Sequence, residues 1–351
     1  MKKLIKQCVG IDVDQKLLVV SLGRMYDDYA PEIYAYKSFS NTEKGFIALV
    51  LWVKNHTDGS IPVLYVMEAT GVYHESFAYF LDSKGHEVVI VLPNKISNYF
   101  RTLNVKTITD KTMSETIARF GLERKLDTWH RPDARCKMLR QITRERDQLV
   151  DERTVVKNQL HAEKAEAQPN KQSVKRMEAR IKMLNKQIGE IKVEIPALIK
   201  EDKELENSVA IICSIPGIGL LTAAIVIAET NGFELIRNKR QLASYAGLDV
   251  IEKQSGTSVK KKPKISKRGN RYLRKALHMP ALTAIRHDEH FKAIFVRLVS
   301  KHGIKMKACV AVQRKLLEMI YTLFKTKTKY DKDYLVKKQT EKEQQDQKQP
   351  A

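Results

Sequence analysis

From Val9 to Leu92 short β-branched runs alternate with turn residues, a period that suits strands better than helices. The run VGIDVDQKLLVVSLG leads into a second run around Glu32 to Phe39, and the two together predict a meander. TEKGFIALVLWVKN then spaces its apolar residues for a helix, with Thr42 placed as its N-cap. PVLYVMEAT predicts a strand, Val72 to Lys84 a helix that Gly85 would end, and EVVIVLP a buried strand. Strand, helix and strand in that order imply parallel pairing, hence an α/β domain over 1–132.

Farther on the pattern changes. Residues 133–207 carry Arg, Lys, Glu and Gln with widely spaced aliphatic residues, which is the composition of long helices. Only QPN, at Gln168 to Asn170, interrupts them, so the segment reads as an antiparallel helical hairpin or coiled coil acting as a spacer. Residues 208–326 regain a globular pattern and predict a compact, mainly α domain. The Lys- and Gln-rich tail, 327–351, is expected to be disordered.

Charge narrows the partners. The 351 residues carry a formal net charge of +22, which makes a polyanion the expected ligand, nucleic acid first. No apolar run reaches the length of a membrane span, and the N-terminus lacks a signal peptide's apolar core, so a cytoplasmic protein acting at the nucleoid is expected. The four cysteines, Cys8, Cys136, Cys213 and Cys309, are scattered, which argues for buried thiols against a zinc site or a disulfide framework.

Two carboxylates stand where apolar strands should exclude them. Asp12 sits inside VGIDVD and Glu68 ends VLYVMEATG, each at a burial cost that a cation would offset. Asp110 opens TDKTMSETIARFG, which reads as a helix. An acid in a strand is more often a structural acceptor and an acid before a helix a cap, but the three on one strand–helix–strand frame suit a hard divalent cation, Mg²⁺ or Mn²⁺. In SIPGIGLLTAAIVIAE, Gly217 and Gly219 resemble a helix-hairpin-helix turn, whose backbone amides approach phosphates; a plain tight turn is the other reading. KKKPKISKRGNRYLRK holds nine Lys or Arg in sixteen positions, and Lys260, Lys261, Lys262, Lys264, Lys267, Arg268, Asn270, Arg271 and Arg274 are its candidate nucleic-acid contacts. Ser255, in QSGTS, reads on its own as a turn residue.

The order and spacing of VGIDVDQKL, SNTEKGFIAL, VMEATGVY, TDKTMSETIARFG, SIPGIGLLTA, QLASYAGL, QSG and ISKRGNRYLRKALHMPAL resemble the DEDD-type transposases of insertion sequences, recombinases guided by a bridge RNA. The resemblance implies an RNase H-like (RuvC-like) N-terminal domain and a C-terminal domain that supplies a serine nucleophile. It puts Asp12, Glu68 and Asp110 at the first three acidic positions and Ser255 at the nucleophile. Donor and target DNA, a guide RNA, and a homodimer or homotetramer with a site shared between protomers are implied as partners.

One position departs from the family pattern. The fourth acid, three residues after Asp110, is replaced by Met113, and a thioether is a poor ligand for Mg²⁺. Either three carboxylates and water suffice, or Glu115 reaches in from an altered helix start. A metal-dependent junction resolvase without serine chemistry and a non-catalytic nucleic-acid-binding protein are the rival readings.

Overall fold

Strand β1 (Leu4–Val13) is buried on both faces, and its alternate residues serve two different cores. Val9, Ile11 and Val13 join Leu18, Val20 and Leu22 of β2 (Leu17–Tyr26) under helices α1 (Glu43–His56) and α2 (Glu75–Ser83). Cys8 faces the other way, with Val66 of β4 (Val63–Glu68) and Val89 and Val91 of β5 (Glu87–Val91), under α3 (Pro93–Phe100) and α4 (Asp110–Glu123). This two-residue alternation makes three layers, helices on each side of one sheet. With β3 (Pro31–Ser40) the sheet runs β3-β2-β1-β4-β5; β1, β2 and β3 are antiparallel, and β1, β4 and β5 parallel. That order and polarity are those of the RNase H-like fold.

The computed structural model describes residues 2–69, 71–234, 236–255 and 259–334, and its chain divides into two units, Met1–Arg131 and Pro132–Ala351. Thr42 caps α1 and Gly85 takes a positive φ of 74° after α2, both as the sequence predicts. Helix α2 starts at Glu75, later than predicted, because Gly71 at φ 57° opens a turn through His74.

The second unit is built on α5 (Ala134–Ala165) and α6 (Lys171–Lys200), which pack side by side on either side of the predicted break. Their ends nearest the rest of the unit belong to its core: Leu139 and Ile142 of α5 and Ile191, Ile195 and Ile199 of α6 share one cluster with the later helices. Those are α7 (Lys203–Cys213), α8 (Leu220–Thr230), α9 (Lys239–Tyr245), α10 (Arg271–Ala276), α11 (His278–His287), α12 (Glu289–His302) and α13 (Lys305–Thr326). An antiparallel pair, β6 (Val250–Ser255) and β7 (Val259–Ile265), takes in Ser255, read from sequence as a turn residue, and the start of the basic run. The start of the tail is also bonded to the unit: Tyr330 N–H donates to Ser214 Oγ at 2.8 Å and Tyr330 OH to Asp288 Oδ2 at 2.5 Å, while residues 335–351 lie outside the described residues.

Candidate metal centre and nucleic-acid interface

One face of β1 lays out the position of α4. Lys6 Nζ donates to the carbonyls of Gly121, Leu122 and Arg124 at 2.6, 3.0 and 2.9 Å, satisfying the orphan acceptors at the helix C-terminus. Two residues on, Cys8 Sγ meets Gly121 so closely that a Cβ there would stand 2.3 Å from it. Two further on, a Cβ on Gly10 would lie 2.3 Å from Ser114 O and 2.2 Å from Ala118 N, so only glycine lets the helix approach. Ser114 Oγ shares a buried 2.7 Å hydrogen bond with Ser21 Oγ, which lies opposite Gly10 on β2. Two strand residues advance about 6.6 Å, a little over four helical residues. Asp12, the next residue on this face, therefore stands against the first turn of α4, where Asp110 begins the helix.

Glu68 arrives by the strand register. Ile11 pairs with Met67 in the parallel β1–β4 ladder, so Asp12 and Glu68 follow as the next pair, and Glu68 shares the α4-facing side with Val66. The helix start is regular: Thr109 Oγ1 accepts from Thr112 N–H at 3.2 Å and Thr112 Oγ1 from Thr109 N–H at 2.8 Å, a reciprocal cap.

The electrostatics agree with this placement. Desolvation, then Asp110, then Glu68 raise the pKa of Asp12 from 3.8 to about 6, against a backbone hydrogen bond at Val13 that lowers it. The other charges acting on Asp12 are thus anionic, an arrangement that favours an incoming cation. In kind the donors fit Mg²⁺, all being carboxylate oxygens. In spacing they are open: among the described residues no group of three or more His, Cys, Asp or Glu is close enough to hold a metal ion as it stands.

Met113 packs against the apolar cluster of Cys8, Val66, Ile117 and Phe120. Glu115 faces Lys111 at 4.0 Å across one helical turn. With the cap at Thr109 formed, nothing in the start of α4 turns Glu115 toward Asp12.

In the second unit the predicted contacts separate into inward and outward groups. Gly217, at φ 87°, is partly buried and packs against α11, since a Cβ would meet Pro280 O at 2.8 Å. Gly219, the N-cap of α8, has nothing within 4 Å of its Cβ position. Asn270 caps α10 and also donates from Nδ2 to Glu229 at 2.6 Å. Arg274 is engaged by the carbonyls of Ala246 and Gly269 at 2.8 and 3.1 Å. Lys264, Lys267, Arg268 and Arg271 are exposed. Ser255 closes β6 opposite Val259, rather than standing in a loop; its side chain, and those of Lys260, Lys261 and Lys262, lie outside the described residues. The register sets Lys253 opposite Lys261.

Sequence reasoning missed Glu229, which is 2% exposed and gathers Arg144, Asn270 and, through its carbonyl, Tyr245. All four cysteines are free, three buried and Cys213 partly so. Among the described residues no helix is long and apolar enough to cross a membrane.

An RNase H-like sheet with acids at the carboxyl ends of its two central parallel strands is the frame of enzymes that transfer nucleic-acid phosphoryl groups. Comparison with known proteins sharpens the class. A DEDD transposase profile of IS110 type matches residues 9–163, and the profile described as "Transposase IS116/IS110/IS902 family" matches residues 209–295. The pilin gene-inverting protein of Moraxella bovis is 30% identical over 84% of this chain and 90% of its own length. The transposase for insertion sequence element IS1111A of Coxiella burnetii is 31% identical over 41% of this chain and 39% of its own. The chain belongs to the IS110-type family of DEDD insertion-sequence transposases, and is a DNA transposase of that family. Among solved structures, T. thermophilus RuvC in complex with a Holliday junction substrate is similar over 35% of this chain and 99% of its own, at 9% identity and a TM-score of 0.27.

Proposed function

We propose that this transposase cuts and rejoins donor and target DNA with Asp12, Glu68 and Asp110 holding Mg²⁺, or Mn²⁺, and Ser255 attacking the scissile phosphate, under the direction of a guide RNA. The observation that carries the reading is Asp12: half-buried, pushed up to about 6, and facing two further carboxylates at the ends of β4 and α4. The cation, when bound, would polarise the phosphate oxygens and neutralise charge that develops in transfer.

The chain's own residues supply the rest. Ser255 Oγ forms a bond to phosphorus as the bond to the 3′ oxygen breaks; the serine proton leaves to a base, and the 3′ oxygen takes one up, giving a phosphoserine and a 3′-hydroxyl. A serine is a weak nucleophile at neutral pH, and cations nearby in sequence, Lys267 and Arg268, favour its ionised form. Lysines of β7 and the open N-terminus of α8 at Gly219 would hold backbones, leaving sequence choice to base pairing by the RNA. The acidic and serine halves come from different protomers of a dimer or tetramer.

The test uses the full chain, RNA transcribed from the DNA flanking its gene, end-labelled DNA and Mg²⁺. Wild type is expected to yield a protein–DNA adduct on a denaturing gel, and Ser255→Ala none. Cleavage without an adduct would establish the resolvase reading, and salt-dependent binding without cleavage the binding-protein reading.

A further inference from the structure

The turn that presents Lys267 and Arg268 is built with little freedom. Ser266 Oγ bonds Asp249 Oδ1 at 2.5 Å, and Lys267 adopts the left-handed conformation at φ 53° with its N–H on Gly247 O at 3.1 Å. Gly269 lies against Tyr245 O and Gly247 N, each 2.5 Å from where a Cβ would be, so the chain passes there only as glycine. Asn270 N–H donates to Tyr245 O at 2.7 Å. Both cationic side chains at the apex are left exposed.

One buried carboxylate ties this turn to the helices beside it. Glu229, near the C-terminal end of α8, accepts from Arg144 Nε and Nη2 of α5 at 2.7 and 2.8 Å, and from Asn270 Nδ2 at 2.6 Å. Tyr245 OH donates to its backbone carbonyl at 2.7 Å, and the Arg144 guanidinium stacks on Tyr272, 4.7 Å from the ring centre. A buried carboxylate that met only Arg144 would be a paired charge; one that also takes the side-chain amide of Asn270 ties the turn, α5 and α8 into a single unit.

We propose that Glu229 is a positioning residue: by gripping Asn270 and Arg144 it fixes the Ser266–Asn270 turn so that Lys267 and Arg268 meet a nucleic-acid backbone as a pre-ordered pair. This rests on the nucleic-acid reading above. Binding costs less when side chains are already ordered, so the grip acts on affinity for phosphates without touching them.

The test is a mutant cycle on the full chain, reading affinity for a fluorescent 30-base-pair DNA duplex across a range of salt concentrations, with thermal stability measured beside it. Asn270→Ser keeps an oxygen to cap α10 but removes the amide that reaches Glu229; Glu229→Gln keeps the shape and removes the charge. In the wild-type background Lys267→Ala/Arg268→Ala should weaken binding about tenfold or more and flatten the salt dependence by about two phosphate contacts. In the Asn270→Ser background the same pair should cost less than about threefold. An equal cost in both backgrounds would overturn the positioning role, whatever Asn270→Ser does to stability; Glu229→Gln, if folded, must show the same reduced cost. Failure of the wild type to bind the duplex in a salt-dependent way would instead defeat the nucleic-acid reading itself.

Discussion

If Asp12 is held at a site that wants a cation, removing its charge should stabilise the metal-free protein. The fold raises its pKa from 3.8 to about 6, by desolvation first and then by Asp110 and Glu68. A shift of about two units at about 1.4 kcal/mol each gives about 3 kcal/mol, and solvent screening of this partly exposed group reduces that to about 1–2 kcal/mol. The sign follows from linkage: the folded state holds the proton more tightly, so stability contributed by protonated Asp12 is full below pH 3.8 and is lost as pH rises to about 6. Asp12→Asn should therefore match wild type near pH 4 and exceed it by about 1–2 kcal/mol above pH 6.5. Both tryptophans, Trp52 and Trp129, lie in the first unit, so tryptophan fluorescence in denaturant with EDTA follows that unit alone. With millimolar Mg²⁺ the order should reverse, because ligand stabilises only the form that binds it. A variant less stable than wild type at pH 7.5 in EDTA, or a difference independent of pH, would refute the electrostatic reasoning.

Other substitutions probe the same frame. Gly10→Ala should destabilise the first unit by about 2–3 kcal/mol or more, since its Cβ meets helix backbone that cannot yield locally, and the tryptophan-monitored midpoint should fall accordingly. Met113→Glu, restoring an acid one turn after Asp110, should tighten Mg²⁺ binding measured by titration calorimetry while lowering stability in EDTA, because it adds charge and removes packing against Ile117 and Phe120.

The N-terminal frame was legible because its signals are local. Thr42 and Gly85 mark helix ends and do so in the structure, while Asp12 and Glu68 are acids set into apolar strands and stand near the strand ends. The β6–β7 pair was not legible: lysines fill β7, and Pro263 within it speaks against a strand. Glu229 carried the same signal as Glu68, an acid ending an apolar run, yet its partners Arg144 and Asn270 are 85 and 41 residues away, and only the folded chain brings them together. Asn270 and Arg274 looked like nucleic-acid contacts because basic runs usually face outward; here both are engaged by the protein, while Lys264, Lys267, Arg268 and Arg271 are exposed. Ion binding at the acids is a matter of a few ångströms of carboxylate approach, which neither spacing nor periodicity encodes.

The proposed chemistry depends on a cation shared by Asp12, Glu68 and Asp110. Crystals of the full chain grown with Mn²⁺ and measured at the manganese absorption edge should show an anomalous peak bounded by those three carboxylates, and none there in Asp12→Asn. Manganese bound elsewhere, or a wild-type site where the three acids turn away from an ordered ion, would contradict it.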